Sequence, residues 1–281
     1  MSPQLFGELE LRISEMRPPA LRCPAYCAKL IATNMSTLQV TGREDPAHNR
    51  ASRSLDFTRF KAITFDCYGT LIDWESGLLA ALRPVLRAHG SVLGDAEILV
   101  LYSELEPKAQ IPYRRYRDVL AQVTCHIAGR LGFSISQPEA ESLPNSLSNW
   151  LPFPDTNEAL AKLKTRYQLA IISNTDDELF AATSKHFDVK FDEVITAEQA
   201  HAYKPSLAPF HLALQRLGLP RDQVLHVGQS VYHDVLPAQS LGLATVLVQR
   251  RGFGAARPAD GMPDLTVSDM KTLSEMACSG H

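Results

Sequence analysis

The run Lys61-Ala-Ile-Thr-Phe-Asp66-Cys-Tyr68-Gly69-Thr70 holds the residues best placed to do chemistry. A short apolar, β-branched stretch ends on an acid, and a Gly-Thr turn follows. The pattern predicts a buried parallel strand that delivers a carboxylate to the carboxyl edge of a sheet, where open α/β sheets place their ligand sites. An aspartate so placed can act as a nucleophile. Three further short sites fall at predicted strand ends. Ser173-Asn174 closes Ala170-Ile-Ile172, Lys204-Pro205 follows the third strand, and Gly228-Gln229-Ser230-Val-Tyr-His233-Asp234 follows the fourth. In a doubly wound sheet these ends converge on one crevice.

The chemistry of the set is coherent. Asp66 and Asp234 would be two carboxylates in a poorly hydrated cleft, repelling by about 4 kcal/mol at ~4 Å and an effective dielectric of ~20. Lys204 between them would offset that repulsion and keep Asp66 ionised. Ser173 and Asn174 add hydroxyl and amide donors for an anionic group. The Thr70 hydroxyl would hold the nucleophile. His233 could activate water, since an unperturbed imidazole changes charge near neutrality, or else point outward from a helix start. Each piece also has an ordinary use: Asp, Ser and Asn cap helices and form turns, and Lys-Pro opens a helix. Four such pieces, in order and each at a strand end, favour the functional reading.

The elements that must position these residues alternate from Phe60 onward. The predicted order is strand 61–65, helix 74–89, helices 96–106, 113–131 and 138–150, then helix 156–166 and strand 169–172. Helix 176–187, strand 193–196, helix 206–217, strand 224–227, helix 234–241 and strand 244–248 complete it. Such alternation implies an α/β fold, a Rossmann-like doubly wound parallel sheet with helices on both faces. The helical block at 76–151 interrupts it after the first strand, so it should sit above the carboxyl edge as an inserted helical cap. Pro152-Phe-Pro154-Asp155 breaks the chain as a linker would. The core is then 58–75 with 152–270, followed by a C-terminal tail at 271–281. Residues 1–57 form an arm interrupted by Pro18, Pro19 and Pro24, expected to be mostly disordered. Met35 offers a second start that leaves the fold intact.

Composition narrows the function classes. An apolar content of 45% supports a globular core, and a net charge of -3 without a dense Lys/Arg block implies neither nucleic acid nor an anionic membrane as partner. No apolar run approaches the ~18 residues needed to span a bilayer. Five scattered cysteines make an odd number without a zinc-type double pair, which fits a reduced, cytoplasmic compartment. Cys23 and Cys27 read as free thiols, and Cys67 as a small core-facing neighbour of Asp66.

The four sites together resemble the haloacid dehalogenase superfamily over residues 60–250. Asp66-Cys-Tyr68-Gly69-Thr70 is similar to the Asp-x-Tyr-Gly-Thr form of (S)-2-haloacid dehalogenases, whereas the superfamily's phosphatases carry a second Asp where Tyr68 stands. The resemblance implies that Asp66 attacks the halogen-bearing carbon and that water hydrolyses the resulting ester. It implies that Lys204 pairs with Asp66, and that Asp234 holds Lys204 or orients the water. Ser173 and Asn174, with Tyr68 and Ser230 beside them, would bind a small acid, a 2-haloalkanoate first. No metal or other cofactor is implied, and a homodimer is the assembly often found in this type.

The chain departs from that pattern in two places. The cap stretch Leu101-Tyr102-Ser103-Glu104-Leu105-Glu106 has no Arg where these dehalogenases carry one, so Arg114, Arg115 or Arg117 would substitute from the next helix, unless these form a solvated basic face. Val231 stands where an Asn is usual, and Gln229 where a phosphatase would have Asp. Two alternatives stay open. One is a magnesium-dependent phosphatase on a small phosphorylated metabolite. The other is a superfamily member in an accessory biosynthetic or non-catalytic binding role.

Overall fold

The structure is a computed structural model that describes residues 55–250 and 259–279. The expected N-terminal arm, with Cys23 and Cys27, lies almost wholly outside the described residues. Six parallel strands form one sheet: β1 (Ala62–Phe65), β2 (Gln168–Ser173), β3 (Glu193–Thr196), β4 (Val224–Gly228), β5 (Ala244–Val248) and β6 (Leu265–Val267). Their order is β3-β2-β1-β4-β5-β6. β1 lies between β2 and β4, with Ile63 beside Leu169 on one side and Leu225 on the other. The chain therefore winds outward in both directions from β1, and a crevice opens at that switch point.

Alternation along the strands fills both faces. Ile63, Phe65, Leu169, Ile171, Leu225 and Val227 join a core with α4 (Thr156–Lys164) and α8 (Met270–Cys278). Ala62, Ile172, Ile195 and Val224 meet Phe210 and Ala213 of α6 (Ala208–Leu217) on the other. Cys67 is buried in the larger core, as its place next to Asp66 requires.

The helical block comprises α1 (Trp74–Ala88), α2 (Asp95–Ala109), α3 (Tyr116–Arg130) and short turns at 137–140, 142–146 and 147–149. Asp73 caps α1 by accepting from the Ser76 N–H, and Leu78, Leu79, Leu82, Val85 and Leu86 bury one face of it at helical spacing. The two crossings between block and sheet run side by side. Asp73 N–H donates to the Leu151 carbonyl at 3.0 Å, and Phe153 N–H to the Leu71 carbonyl at 3.0 Å.

Several expected elements differ. The helix expected from 113 starts at Tyr116, where an acceptor from the sheet side takes up its first N–H groups. The helix expected at 138–150 is three short turns, with Pro138 and Pro144 each admitted only in a first turn. Asp234 lies in a wide turn, Val231–Val235, that leads into α7 (Leu236–Ser240). The stretch expected as a tail is helix α8, held by buried Met270, Leu273 and Ala277 against α4. Among the described residues no helix is long and apolar enough to cross a membrane.

Candidate active site

Asp66 follows β1 directly, and its N–H extends the ladder to the Val227 carbonyl at 2.9 Å. One carboxylate oxygen accepts from the Thr70 hydroxyl at 2.7 Å, and the other from the Lys204 ammonium at 2.8 Å. The same ammonium donates to Asp234 at 2.6 Å and to the Ile172 carbonyl at 2.9 Å. Its three hydrogens are thereby all used. Lys204 does stand between the two carboxylates, as the sequence suggested.

The two carboxylates are not equivalent. The Asp66 side chain keeps 11% of its surface exposed, against 1% for Asp234. Asp66 is therefore the one that can reach a substrate, and Asp234 is a fixed counter-charge. Burial raises the Asp66 carboxyl above its usual range, with Lys204 and Thr70 opposing and the Asp234 charge adding to the rise. Burial pushes Asp234 the same way, but the Lys204 charge and hydrogen bonds from His226 and Lys204 outweigh it and hold the group low. Lys204 would lose its proton more easily through burial alone, and the two carboxylates more than reverse that.

Local backbone makes the arrangement possible. Gly69 has φ +99°, a left-handed conformation that suits glycine, in the turn that brings Thr70 back to Asp66. At Gly228 a Cβ would meet the Asp234 carboxyl carbon at 2.5 Å, so only glycine leaves room for that side chain. Ser230 caps the turn by accepting from the His233 N–H at 3.1 Å, and its own N–H donates to Asp234 at 3.2 Å.

These groups line a cavity of about 140 Å³. An apolar cavity of roughly that size takes a benzene-sized guest. From the sheet side come Asp66, Tyr68, Ser173, Asn174, Lys204, Ser230, His233 and Asp234. The Ser173 hydroxyl is buried without a partner. Asn174 accepts from the Lys204 N–H at 2.6 Å and donates to its carbonyl at 3.1 Å, so it holds the lysine loop as well as lining the cavity. The Tyr68 hydroxyl is bonded to Thr183 at 2.7 Å, and its ring meets Trp150 edge-on. Burial drives the Tyr68 phenol well above its ordinary range, so it keeps its proton.

The helical block contributes Trp74, Tyr102, Ser103, Glu106, Pro107, Tyr116 and Trp150. No arginine is among the described lining residues. Arg114, Arg115 and Arg117, left open between a substrate contact and a solvated basic face, do not line the cavity. Arg114 donates to Gln122 at 2.5 Å. Arg115 lies 3.3 Å from Glu198 and 3.8 Å from Asp176 and Glu178, and Arg117 donates to Asn145 at 2.8 Å. Local acids and amides hold all three outside the cavity.

Four residues important to this geometry escaped the sequence reading. Glu106 is half-buried at the cavity, and burial pushes its carboxyl up to about 7 against hydrogen bonds from Gln110 and Tyr116. His226 on β4 contacts Thr64 at 2.8 Å and Asp234 at 3.4 Å; a lone histidine inside an apolar strand was the available signal. Asp176 accepts the Tyr116 and Arg117 N–H groups at 2.7 and 2.8 Å, so the sheet side caps α3. Arg250 donates to the Thr70 carbonyl at 2.9 Å and to Asp155 at 2.7 Å, which in turn accepts from Met270 N–H at 2.7 Å.

Residues 60–242 match the haloacid dehalogenase-like hydrolase family. A haloacetate dehalogenase, H-2, of Moraxella sp. (strain B) is 27% identical over 222 residues, covering 76% of this chain and 96% of that one. A glyceraldehyde 3-phosphate phosphatase of Methanothermobacter thermautotrophicus is 28% identical over 230 residues, covering 77% and 99%. Among solved structures, the L-2-haloacid dehalogenase PA0810 superposes with a TM-score of 0.68 at 25% identity, covering 79% of this chain and 100% of that one.

Proposed function

Because this chain belongs to the haloacid dehalogenase-like hydrolase family, we propose that it hydrolyses the carbon–halogen bond of a small 2-haloalkanoic acid through an aspartyl-ester intermediate. An Asp66 oxygen attacks the halogen-bearing carbon in line. The new C–O bond forms as the carbon–halogen bond breaks, and halide leaves with the electron pair. Water then adds to the Asp66 carboxyl carbon, and the acyl C–O bond breaks. The 2-hydroxy acid departs with the former Asp66 oxygen, and Asp66 is a carboxylate again. His233 lines the cavity and takes the proton that water gives up, while Asp234 holds Lys204 in place. Lys204 and Thr70 hold Asp66 in line, and Ser173, Ser230 and Asn174 take the substrate carboxylate.

The observation that carries this reading is the pairing of an accessible, ammonium-bound Asp66 with Tyr68 two residues on. A phosphate ester needs a proton donor for its leaving alcohol at that place. The Tyr68 phenol is tied to Thr183 and keeps its proton. A halide needs no such donor. The reaction as proposed also needs no metal: Gln229 offers an amide where a divalent cation would favour a carboxylate. The second reading, a magnesium-dependent phosphatase, draws support from the glyceraldehyde 3-phosphate phosphatase relative, and Tyr68 and Gln229 oppose it.

The test is halide release from each enantiomer of 2-chloropropionate, without added metal, beside Asp66→Asn. Release from the (S) form alone, abolished in the variant, is expected. Absence of halide from folded protein, with phosphate released from esters in magnesium, would replace this reading by the second.

A further inference from the structure

The wall of the cavity contributed by the helical block is aromatic and carries one ionisable group. Trp74 and Tyr102 pack with ring centroids 5.6 Å apart, and the Tyr102 and Tyr116 hydroxyls are 2.9 Å apart. Glu106 joins this group at the cavity, accepting from Gln110 at 2.6 Å and from Tyr116. Both partners of Glu106 are neutral donors. Lys204 is the one Lys or Arg among the described lining residues, and its ammonium is consumed by Asp66, Asp234 and the Ile172 carbonyl. Glu106 thus lines the cavity together with Trp74, Tyr102 and Tyr116, and its partners are neutral donors.

That combination has a chemical complement. Aromatic faces attract cations through their quadrupole, and desolvation strengthens the attraction. A carboxylate beside them adds a charge-assisted hydrogen bond to an ammonium. An anionic end placed there would meet repulsion instead. We infer that Glu106, with Trp74, Tyr102 and Tyr116, forms a subsite for an ammonium group at the end of the substrate remote from the reacting carbon, so that the preferred substrates are amine-bearing 2-haloacids. The inference rests on the reading of Asp66 as nucleophile in the same cavity. The acid end lies toward Ser173 and Ser230, and the amine end toward Glu106. Burial raises the Glu106 carboxyl to about 7, and an ammonium bound beside it would hold it ionised.

The experiment compares halide release from 2-chlorobutanoate and 4-amino-2-chlorobutanoate by the full chain and by Glu106→Gln. The expected result is a KM at least tenfold lower for the amino compound in the unaltered protein, and a ratio near one in the variant. Equal KM values in the unaltered protein, or a preference that survives Glu106→Gln, would overturn the inference. A parallel arm needs no turnover: calorimetric binding of butylammonium and butyrate to Asp66→Asn, with and without Glu106→Gln. If no halide is released but butylammonium binds at least tenfold tighter than butyrate, only while Glu106 is present, the subsite stands and the dehalogenation reading falls. Absence of halide together with equal binding of the two probes overturns the subsite as well.

Discussion

Replacing Lys204 by Met tests the electrostatic core of the site, because the ammonium holds two buried carboxylates with one charge. Its contacts are 2.8 Å to Asp66 and 2.6 Å to Asp234, and it is 2% exposed. Methionine fills similar volume without the charge. The carboxylates then face each other across roughly 5 Å, where repulsion is about 3 kcal/mol at an effective dielectric of about 20. Breaking a buried pair by removing one partner costs about 3–5 kcal/mol, so a loss of that size is expected at pH 7. The pH dependence separates this cause from lost packing. Without Lys204, burial and mutual repulsion should raise the carboxyl pair above the unfolded 3.8, so that the native state holds a proton the unfolded chain has released. The penalty should therefore be small near pH 4 and grow as pH rises through the native values. In the unaltered protein Asp234 is depressed and works in the opposite sense: its contribution is present above 3.8 and lost as pH falls through its native value. Urea unfolding of both proteins from pH 4.5 to 8 measures the difference. Adding Asp234→Asn to the Met variant should restore about 2–3 kcal/mol at pH 7 by removing the repulsion. A penalty flat across pH, or a double variant no more stable than the single one, would refute the account.

Other substitutions probe separate links. Gly228→Ala places a Cβ 2.5 Å from the Asp234 carboxyl carbon. Overpacking of this kind costs about 1–3 kcal/mol, so a lower Tm together with loss of turnover is expected, read by calorimetry and halide assay. Asp176→Ala removes the acceptor for two N–H groups of α3. A lost cap costs about 1–2 kcal/mol, and hydrogen exchange should accelerate at residues 116–119 while β1 and β4 stay protected. Glu106→Gln should stabilise the fold at high pH. The native carboxyl near 7 lies above its ordinary 4.5, so its ionisation weakens the native state as pH rises between those values. The gap corresponds to about 3 kcal/mol above pH 7, at roughly 1.4 kcal/mol per tenfold. The variant's advantage in urea unfolding should shrink to nothing near pH 4.5, and an advantage independent of pH would contradict the assignment.

What could be read from the chain was what neighbouring residues encode. Strands such as Leu169–Ile172 and Val224–Val227 announce themselves as short apolar runs, and the residues at their ends do not depend on loop detail. Asp66, Thr70, Ser173, Lys204 and Asp234 were therefore legible. Asp176, His226 and Arg250 were not, because each acts through a partner distant in sequence, and Glu106 was not, because only the fold places it on the cavity. Asp176 reaches Tyr116 across 60 positions, and Arg250 reaches Thr70 across 180. Arg114 and Arg115 could be read either as stand-ins for the missing cap arginine or as a solvated basic face, and only the fold shows Gln122, Asp176, Glu178 and Glu198 drawing them aside.

The helical block is also where specificity has room to vary. Asp66, Lys204 and Asp234 share hydrogen bonds with one another, with the Ile172 carbonyl and with Thr70. A change in any of these leaves a buried charge or donor unpaired. The wall formed by Trp74, Tyr102 and Glu106 has no hydrogen bond to that cluster; α1 and α2 present it across the cavity. A substitution at Glu106 alters which molecule fits without breaking the charge network that holds Asp66. Under the function proposed above, the sheet edge would set the reaction chemistry and the helices above it the substrate. Such a division would let a chain keep Asp66, Lys204 and Asp234 while residues of opposite character stand where a cap arginine was expected.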